Sequence, residues 1–147
     1  MKTIYLQVKS IIDSELPLVS NLSNVSAILF KMEKINWAGF YLALDDALYL
    51  GPFQGEPACT RIPFNKGVCG HAYNKKETVI VDDVNKFEGH IACSSLSKSE
   101  IVVPIIVNDK VVAVIDIDSP VYSRFSNNEK EWLEKIAAEI ALLFTSK

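Results

Sequence analysis

The chain has 147 residues, one domain's worth. A domain near this size buries on the order of 70% of the surface its unfolded chain exposes, so a core alone can hold it. Its 49% apolar and 22% charged residues are globular values, and a formal net charge of −3 gives neither nucleic acid nor an anionic membrane an electrostatic attraction. No apolar run approaches the length of a transmembrane helix, and Met1-Lys2-Thr3-Ile4-Tyr5-Leu6-Gln7 lacks a signal-peptide core. The expected compartment is therefore the cytoplasm, where thiols stay reduced. Cys59, Cys69 and Cys93 are an odd set, which there favours free, metal-binding or redox-active thiols over a structural framework.

Ile4, Val8, Ile11 and Ile12 share one helical face over 3–14. A second helix is expected over 17–34, since Pro17 suits a first turn and Leu22, Val25, Leu29 and Met32 repeat at helical spacing. Both stripes read as packing surfaces. Residues 36–44 are rich in aromatics and read as a strand with Trp37, Gly39 and Tyr41 on one face. A glycine between two rings leaves a notch that suits a thioether or methyl group, with sulfur–ring contacts favourable by about 0.3–1.5 kcal/mol. Ordinary core packing is the equal alternative. Asp45-Asp46 turns the chain into Leu48-Tyr49-Leu50, the expected partner strand of a hairpin.

Residues 51–70 are punctuated by glycine and proline and read as a long connection, of the kind that serves as a lid or binding loop. Cys59 lies on it and is free to move in that reading. Ile62 suits a short strand. A helix over 67–76 places Cys69 in its first turn, where the helix dipole favours a thiolate; alternatively Cys69 is a small residue packed where helix meets sheet.

Residues 78–81 form a β-branched strand and 82–87 a turn. The stretch Glu88-Gly89-His90-Ile91-Ala92-Cys93-Ser94-Ser95-Leu96-Ser97-Lys98-Ser99-Glu100 lacks regular apolar alternation and reads as an irregular connection. Cys93 is there either an exposed, reactive thiol or a small buried hydrophobe. Residues 101–107 and 111–117 form a hairpin around Asn108-Asp109-Lys110. A three-residue loop sets Glu100 opposite Asp118 and Val102 opposite Asp116; a two-residue loop sends Glu100 to the other face. Asp116 and Asp118 share a face and interrupt a run otherwise fit for burial. Such carboxylates need a compensating cation, and a ligand ammonium would suit. For Asp118, exposure at the strand end or an N–H-capping role in the turn before Pro120 is the competing reading. Ser126-Asn127-Asn128-Glu129 is a capping box, and Trp132, Leu133, Ile136, Ile140, Leu143 and Phe144 make the stripe of a terminal helix that packs on the sheet.

This order of elements, an α/β (α+β) layout with a central antiparallel sheet flanked by N-terminal and C-terminal helices, suggests a single GAF domain over 1–147. More specifically, Asn36-Trp37-Ala38-Gly39-Phe40-Tyr41, Gly51-Pro52-Phe53-Gln54-Gly55, Ala58-Cys59-Thr60-Arg61-Ile62, Gly67-Val68-Cys69-Gly70, Gly89-His90-Ile91-Ala92-Cys93, Ser99-Glu100-Ile101-Val102-Val103-Pro104 and Asp116-Ile117-Asp118-Ser119 resemble, in order, the free methionine-(R)-sulfoxide reductases. The resemblance implies reduction of the free amino acid with Cys93 as nucleophile, Cys59 as principal resolving cysteine and Cys69 as an alternative or auxiliary one. It implies Trp37 and Tyr41 around the methyl-sulfoxide group, and Glu100, Asp116 and Asp118 on the polar end. It further implies thioredoxin as external reductant, a homodimer, and no bound cofactor or metal. Two positions depart from the family pattern: Ser94 stands where Asp usually follows the catalytic cysteine, and Glu88 where Pro usually precedes Gly89. Ser94 hydrogen-bonds but carries no charge.

Two other readings compete. One is a ligand-sensing GAF module without chemistry, since fold does not imply function. The other is a zinc protein using Cys59, Cys69, His71, His90 and Cys93, against which stands the lack of a close Cys-x-x-Cys pair.

Overall fold

A six-stranded antiparallel sheet in the order β3-β2-β1-β6-β5-β4 forms the middle of the molecule. The structure, a computed structural model, describes residues 2–89 and 96–145. In chain order the elements are α1 (Lys2–Ile11), α2 (Leu18–Leu29), β1 (Trp37–Ala43), β2 (Ala47–Gly55), β3 (Arg61–Pro63), α3 (Gly67–Lys75), β4 (Val79–Val81), β5 (Ser99–Val107), β6 (Lys110–Ser119) and α4 (Asn127–Thr145), with one 3-10 turn over Val84–Lys86. Both N-terminal helices are shorter than their apolar stripes suggest. Pro17, with φ −56°, stands just before α2, and the chain leaves that helix at Phe30 through tight turns that still bury Met32.

Strand alternation assigns the two faces. On one, Ala38 and Phe40 of β1, Ile101, Val103 and Ile105 of β5 and Ala113, Ile115 and Ile117 of β6 meet α1, α2 and α4 in the larger core. On the other, Trp37, Tyr41, Val102 and Val114 meet Val68, Cys69 and Ala72 of α3. The second face carries the odd-numbered residues of β1, the even-numbered residues of β5 and, from Val114 onward, the even-numbered residues of β6, which include Glu100, Asp116 and Asp118.

Two local devices depart from expectation. First, β2 runs through Gly51 to Gly55 and pairs Phe53 with Gly39, so the connection expected over 51–70 shrinks to the short loop 56–60 before β3. A Cβ on Gly39 would collide with the Cβ of Phe53 and lie 2.9 Å from the Pro52 carbonyl oxygen. Glycine is used there for close approach between strands, beside a register shift between Gly39 and Tyr41. Second, β5 and β6 join through the two-residue loop Asn108-Asp109, whose φ angles of 51° and 66° are those of a type I′ turn. That loop alone would turn Glu100 to the wrong face. Ile106 pairs with Val111 but Ile105 with Ala113, so Val112 is an extra residue. This bulge restores the pairing of Glu100 with Asp118 and of Val102 with Asp116.

The capping box of α4 forms as expected. Glu129 Oε1 accepts from the Ser126 N–H and the Ser126 hydroxyl, both at 2.6 Å, and Ser126 Oγ accepts from the Asn128 N–H at 3.2 Å. Because α4 closes the larger core, the cap bears on global stability. Ser126→Ala is expected to lower unfolding free energy by about 1 kcal/mol. Urea denaturation would show this as a lower midpoint with an unchanged m value, and an unchanged midpoint would remove the cap from the account.

Candidate active site

The site is built where β1, β6 and β5 lie side by side. Register places Asp118 between Trp37 on one side and Glu100 on the other, and Asp116 between Gly39 and Val102. Glu100 and Asp116 retain only 7% and 6% of their exposure, while Asp118 is partly open at the strand end. The three acids named from sequence are therefore brought together, on the face covered by α3. Asp118 is thus at the strand end but not simply exposed, since it faces Glu100 across the strand pair.

Their electrostatics follow from crowding. Glu100 makes side-chain hydrogen bonds to both Asp116 and Asp118. Ionised carboxylates only accept, so these contacts require a shared proton. Burial, then the charges of Asp116 and Asp118, push the Glu100 carboxyl well above the ordinary glutamate range. Burial and then Asp116 push Asp118 upward too, against a downward pull from hydrogen bonds with Ser97 and Glu100. The ion pairs Arg61–Asp46, Lys76–Asp109 and Arg124–Glu129 lie elsewhere.

Cys69 stands in the first turn of α3, as expected, but not as a thiolate. It is a free thiol buried to 3% exposure. Burial, then the nearby Asp116, Glu100 and Asp118, push its thiol well above the usual range. The helix N-terminus is outweighed by desolvation and like charge. Ligand atoms of Cys69, Glu100 and Asp116 lie within 4.8 Å of one another. Among the described residues this is the group with metal-ligating geometry, and it is not the cysteine–histidine set of the zinc reading. His71 is exposed and meets Phe87 edge-on at 5.7 Å.

Trp37 and Tyr41 are both buried and stack with centroids 5.9 Å apart. A third ring, missed from sequence, completes the row: Phe53 stacks on Trp37 at 5.2 Å. Phe53 occupies the space above Gly39, so the expected notch between the two rings is filled at that level. The signal for this was the Gly39–Phe53 pairing, hidden by ending β2 too early.

The ring wall also holds the loop that carries Cys59. The Trp37 Nε1–H donates to the Glu56 carbonyl at 3.0 Å, and the Tyr41 hydroxyl donates to the Cys59 carbonyl at 2.8 Å. Burial, followed by Asp116, Cys69, Asp118 and Glu100, keeps the Tyr41 phenol protonated and therefore a donor. The loop is tethered at two points rather than free along its length. Cys59 itself is disulfide-bonded.

Cys93, with residues 90–95, lies outside the described residues, as do His90 and Ser94. The flanks are fixed. Gly89 accepts at its carbonyl from the Gly67 N–H of α3 at 3.0 Å, while Lys98 donates to the Ser119 carbonyl at 2.8 Å and accepts from Val84 at 2.9 Å. The connection thus leaves from the start of α3 and returns at the end of β6, at the rim of the acid cluster.

The crowding of acids has a thermodynamic sign. A buried carboxyl with a raised pKa keeps its proton while the unfolded chain loses one. Stability from this source is intact below the ordinary carboxylate range and falls as pH rises above it. Glu100→Gln is therefore expected to raise the melting temperature near pH 7.5, by the equivalent of about 1–2 kcal/mol. Near pH 4 it should do little. A destabilised variant at pH 7.5 would show that the cluster is not under strain.

Comparison with known proteins agrees with this architecture. A GAF domain family model matches residues 25–145. The free methionine-R-sulfoxide reductase of Saccharomyces cerevisiae is 49% identical over 146 residues, covering 93% of this chain and 81% of that protein. The protein of the same name from Escherichia coli is 46% identical over 127 residues, covering 86% and 77%. The free methionine-R-sulfoxide reductase of Neisseria meningitidis, solved in complex with its substrate, superposes with a TM-score of 0.92 at 41% identity, covering 97% of this chain and 87% of that one. With identity of this extent and three carboxyls gathered beside a wall of rings, the chain belongs to the free methionine-(R)-sulfoxide reductases, a family built on the GAF domain.

Proposed function

We propose that this protein reduces free methionine-(R)-sulfoxide to methionine with a cysteine nucleophile. The observation that carries the reading is the convergence of Glu100, Asp116 and Asp118 on one face beside Trp37 and Tyr41. A zwitterionic amino acid supplies the ammonium that such a cluster lacks, and its methyl-sulfoxide end is suited to aromatic walls. The reductase names of close relatives favour chemistry over ligand sensing.

In this mechanism the Cys93 thiolate attacks the sulfoxide sulfur. The oxygen passes to Cys93 as a sulfenic acid and methionine leaves. The oxygen needs a proton as the S–O bond of the substrate breaks, and the proton shared between Glu100 and its aspartates is a source at hand. The Cys59 thiol then attacks the sulfenic sulfur, water departs, and a Cys59–Cys93 disulfide forms. A dithiol reductant of the thioredoxin class returns both thiols and takes up the disulfide. The disulfide at Cys59, beside a free Cys69, supports Cys59 as the resolving residue. With its thiol buried and protonated, Cys69 is left the auxiliary part. A homodimer is the proposed assembly, and neither a resident metal nor a bound cofactor enters any step.

Cys93→Ser is expected to abolish turnover, since a hydroxyl at neutral pH is a far weaker nucleophile than a thiolate. Cys59→Ser should release about one equivalent of methionine without reductant and then stall with the sulfenic acid trapped. Mass spectrometry with a sulfenic-acid probe and a methionine assay read both. Full thioredoxin-supported turnover by the Cys59 variant would transfer resolution to Cys69.

The second expectation concerns selectivity. An N-acetylated or peptide-bound sulfoxide has no ammonium to offer. Losing a charge-assisted contact of about 1.5–3 kcal/mol, and leaving buried carboxylate uncompensated, corresponds to at least about a hundredfold in kcat/KM. NADPH consumption coupled through thioredoxin measures this directly. Comparable rates on the free and N-acetylated sulfoxides would sink the ammonium argument.

A further inference from the structure

Phe53 belongs to the ring wall, and the chemistry above gives it no task. It stands on β2 opposite Gly39 of β1, and Gly39 in turn stands beside Asp116 of β6. Residues paired in this way share a face of the sheet. Phe53 and Asp116 therefore flank a position without a side chain, with Trp37 and Tyr41 before and after it along β1. The approach is close: a Cβ on Gly39 would collide with that of Phe53 and lie 2.8 Å from its Cα. Phe53 thus leans over Gly39, on the face that carries the three acids.

The end of β2 also braces Trp37. The Phe53 ring lies on the indole with centroids 5.2 Å and planes 14° apart. The edge of the indole lies against Gly55, where a Cβ would be 2.7 Å from Trp37 Cδ1. The Nε1–H donates to the Glu56 carbonyl at 3.0 Å. Face, edge and N–H are each held by this one stretch, and Trp37 is only 3% exposed. A wall held so firmly does not swing aside for a larger group, and close-packed interiors register the addition of a single methylene. Phe53 itself is half-buried at the margin of the smaller core, on the face away from α1, α2 and α4, and β3 flanks β2 only at Ala47, Leu48 and Tyr49.

We propose that Phe53 is a specificity-determining residue of this site: by filling the notch over Gly39 and bracing Trp37, it limits the group on the substrate's sulfur to methyl. The statement rests on the function proposed above, which sets that group against Trp37 and Tyr41. Free ethionine sulfoxide carries the same ammonium and the same sulfoxide and differs by one methylene. The acid cluster meets the two alike, so a preference between them belongs to the rings.

The test measures kcat/KM for the free (R)-sulfoxides of methionine and ethionine with wild type, Phe53→Leu and Phe53→Ala. Dithiothreitol serves as reductant, and chromatography quantifies the thioether product. Wild type is expected to favour the methyl compound by about 10- to 200-fold, the range one methylene commands in an apolar pocket. Phe53→Leu should narrow that preference about 3- to 10-fold and Phe53→Ala further, with ethionine sulfoxide reduced faster than by wild type. A structural role alone would slow both substrates in proportion and leave their ratio where it was. An unmoved ratio, a proportional loss, or a wild type that does not distinguish the two substrates would overturn the proposal. Should Phe53→Ala not fold, Phe53→Leu, which keeps an apolar side chain on β2, decides the matter on the same ratio. A wild type that reduces neither sulfoxide would overturn the proposed activity and the size limit with it, whereas an active wild type with an unmoved ratio overturns the size limit alone.

Discussion

Three carboxyl groups on two neighbouring strands, largely withdrawn from water and with no lysine or arginine next to them along those strands, are the constraint around which this structure is arranged. Like charges this close cannot all ionise, so the cluster holds protons that ordinary aspartates and glutamates would have lost. Such an arrangement persists only if its surroundings over-determine it. The opposite face of the same strands supplies that rigidity: Ile101, Val103, Ile115 and Ile117 are locked into the core beneath α1, α2 and α4. Period-2 geometry thus divides the labour within each strand, apolar residues holding the sheet and their neighbours holding the acids where they would not choose to be.

Much of this was legible in the sequence. The alternation of Asp116 and Asp118, the capping box at Ser126 and the aromatic strand at Trp37 each carry a local signal strong enough to survive folding. The register between β5 and β6 was not legible. The loop is Asn108-Asp109, one residue shorter than the loop that would pair Glu100 with Asp118, and the pairing is restored by the extra residue Val112. Val111 and Val112 are both apolar and β-branched, so nothing in the residue types marks one of them as unpaired. The far end of β2 failed for a related reason. Glycine and proline at Gly51, Pro52 and Gly55 read as punctuation, whereas β2 packs closely on β1 there: a Cβ on Gly51 would meet Phe40 and Leu42, one on Gly55 would meet Trp37 and Asn36, and the Pro52 carbonyl lies over Gly39.

The cysteines show the limit of residue type as a guide. Cys69 meets the local condition for a thiolate, a helix N-terminus, and its thiol is nevertheless pushed upward. The partial charge of a short helix acts within its first turn and is screened, whereas burial against three acids acts on the thiol directly. Cys59 sits in a glycine- and proline-rich stretch that suggests freedom, yet its loop is tethered by Trp37 and Tyr41. The residues proposed to line the substrate pocket therefore also position the loop of the proposed resolving cysteine. The tether is visible only in three dimensions, because each ring reaches the loop through its polar atom.

The same cluster links binding to protonation. An ammonium entering the pocket favours the ionised form of every carboxyl near it, so binding and proton loss from the cluster are thermodynamically coupled, each promoting the other to the same extent. In the proposed mechanism a substrate that arrives as a zwitterion thereby loosens the proton that Glu100 shares with its aspartates, at the moment when a sulfoxide oxygen needs one. A neutral amide in the place of the ammonium would leave that proton where it is. On that proposal, selectivity for the free amino acid and availability of the proton are two consequences of one arrangement, and a substitution that relieves the crowding of acids would weaken both together.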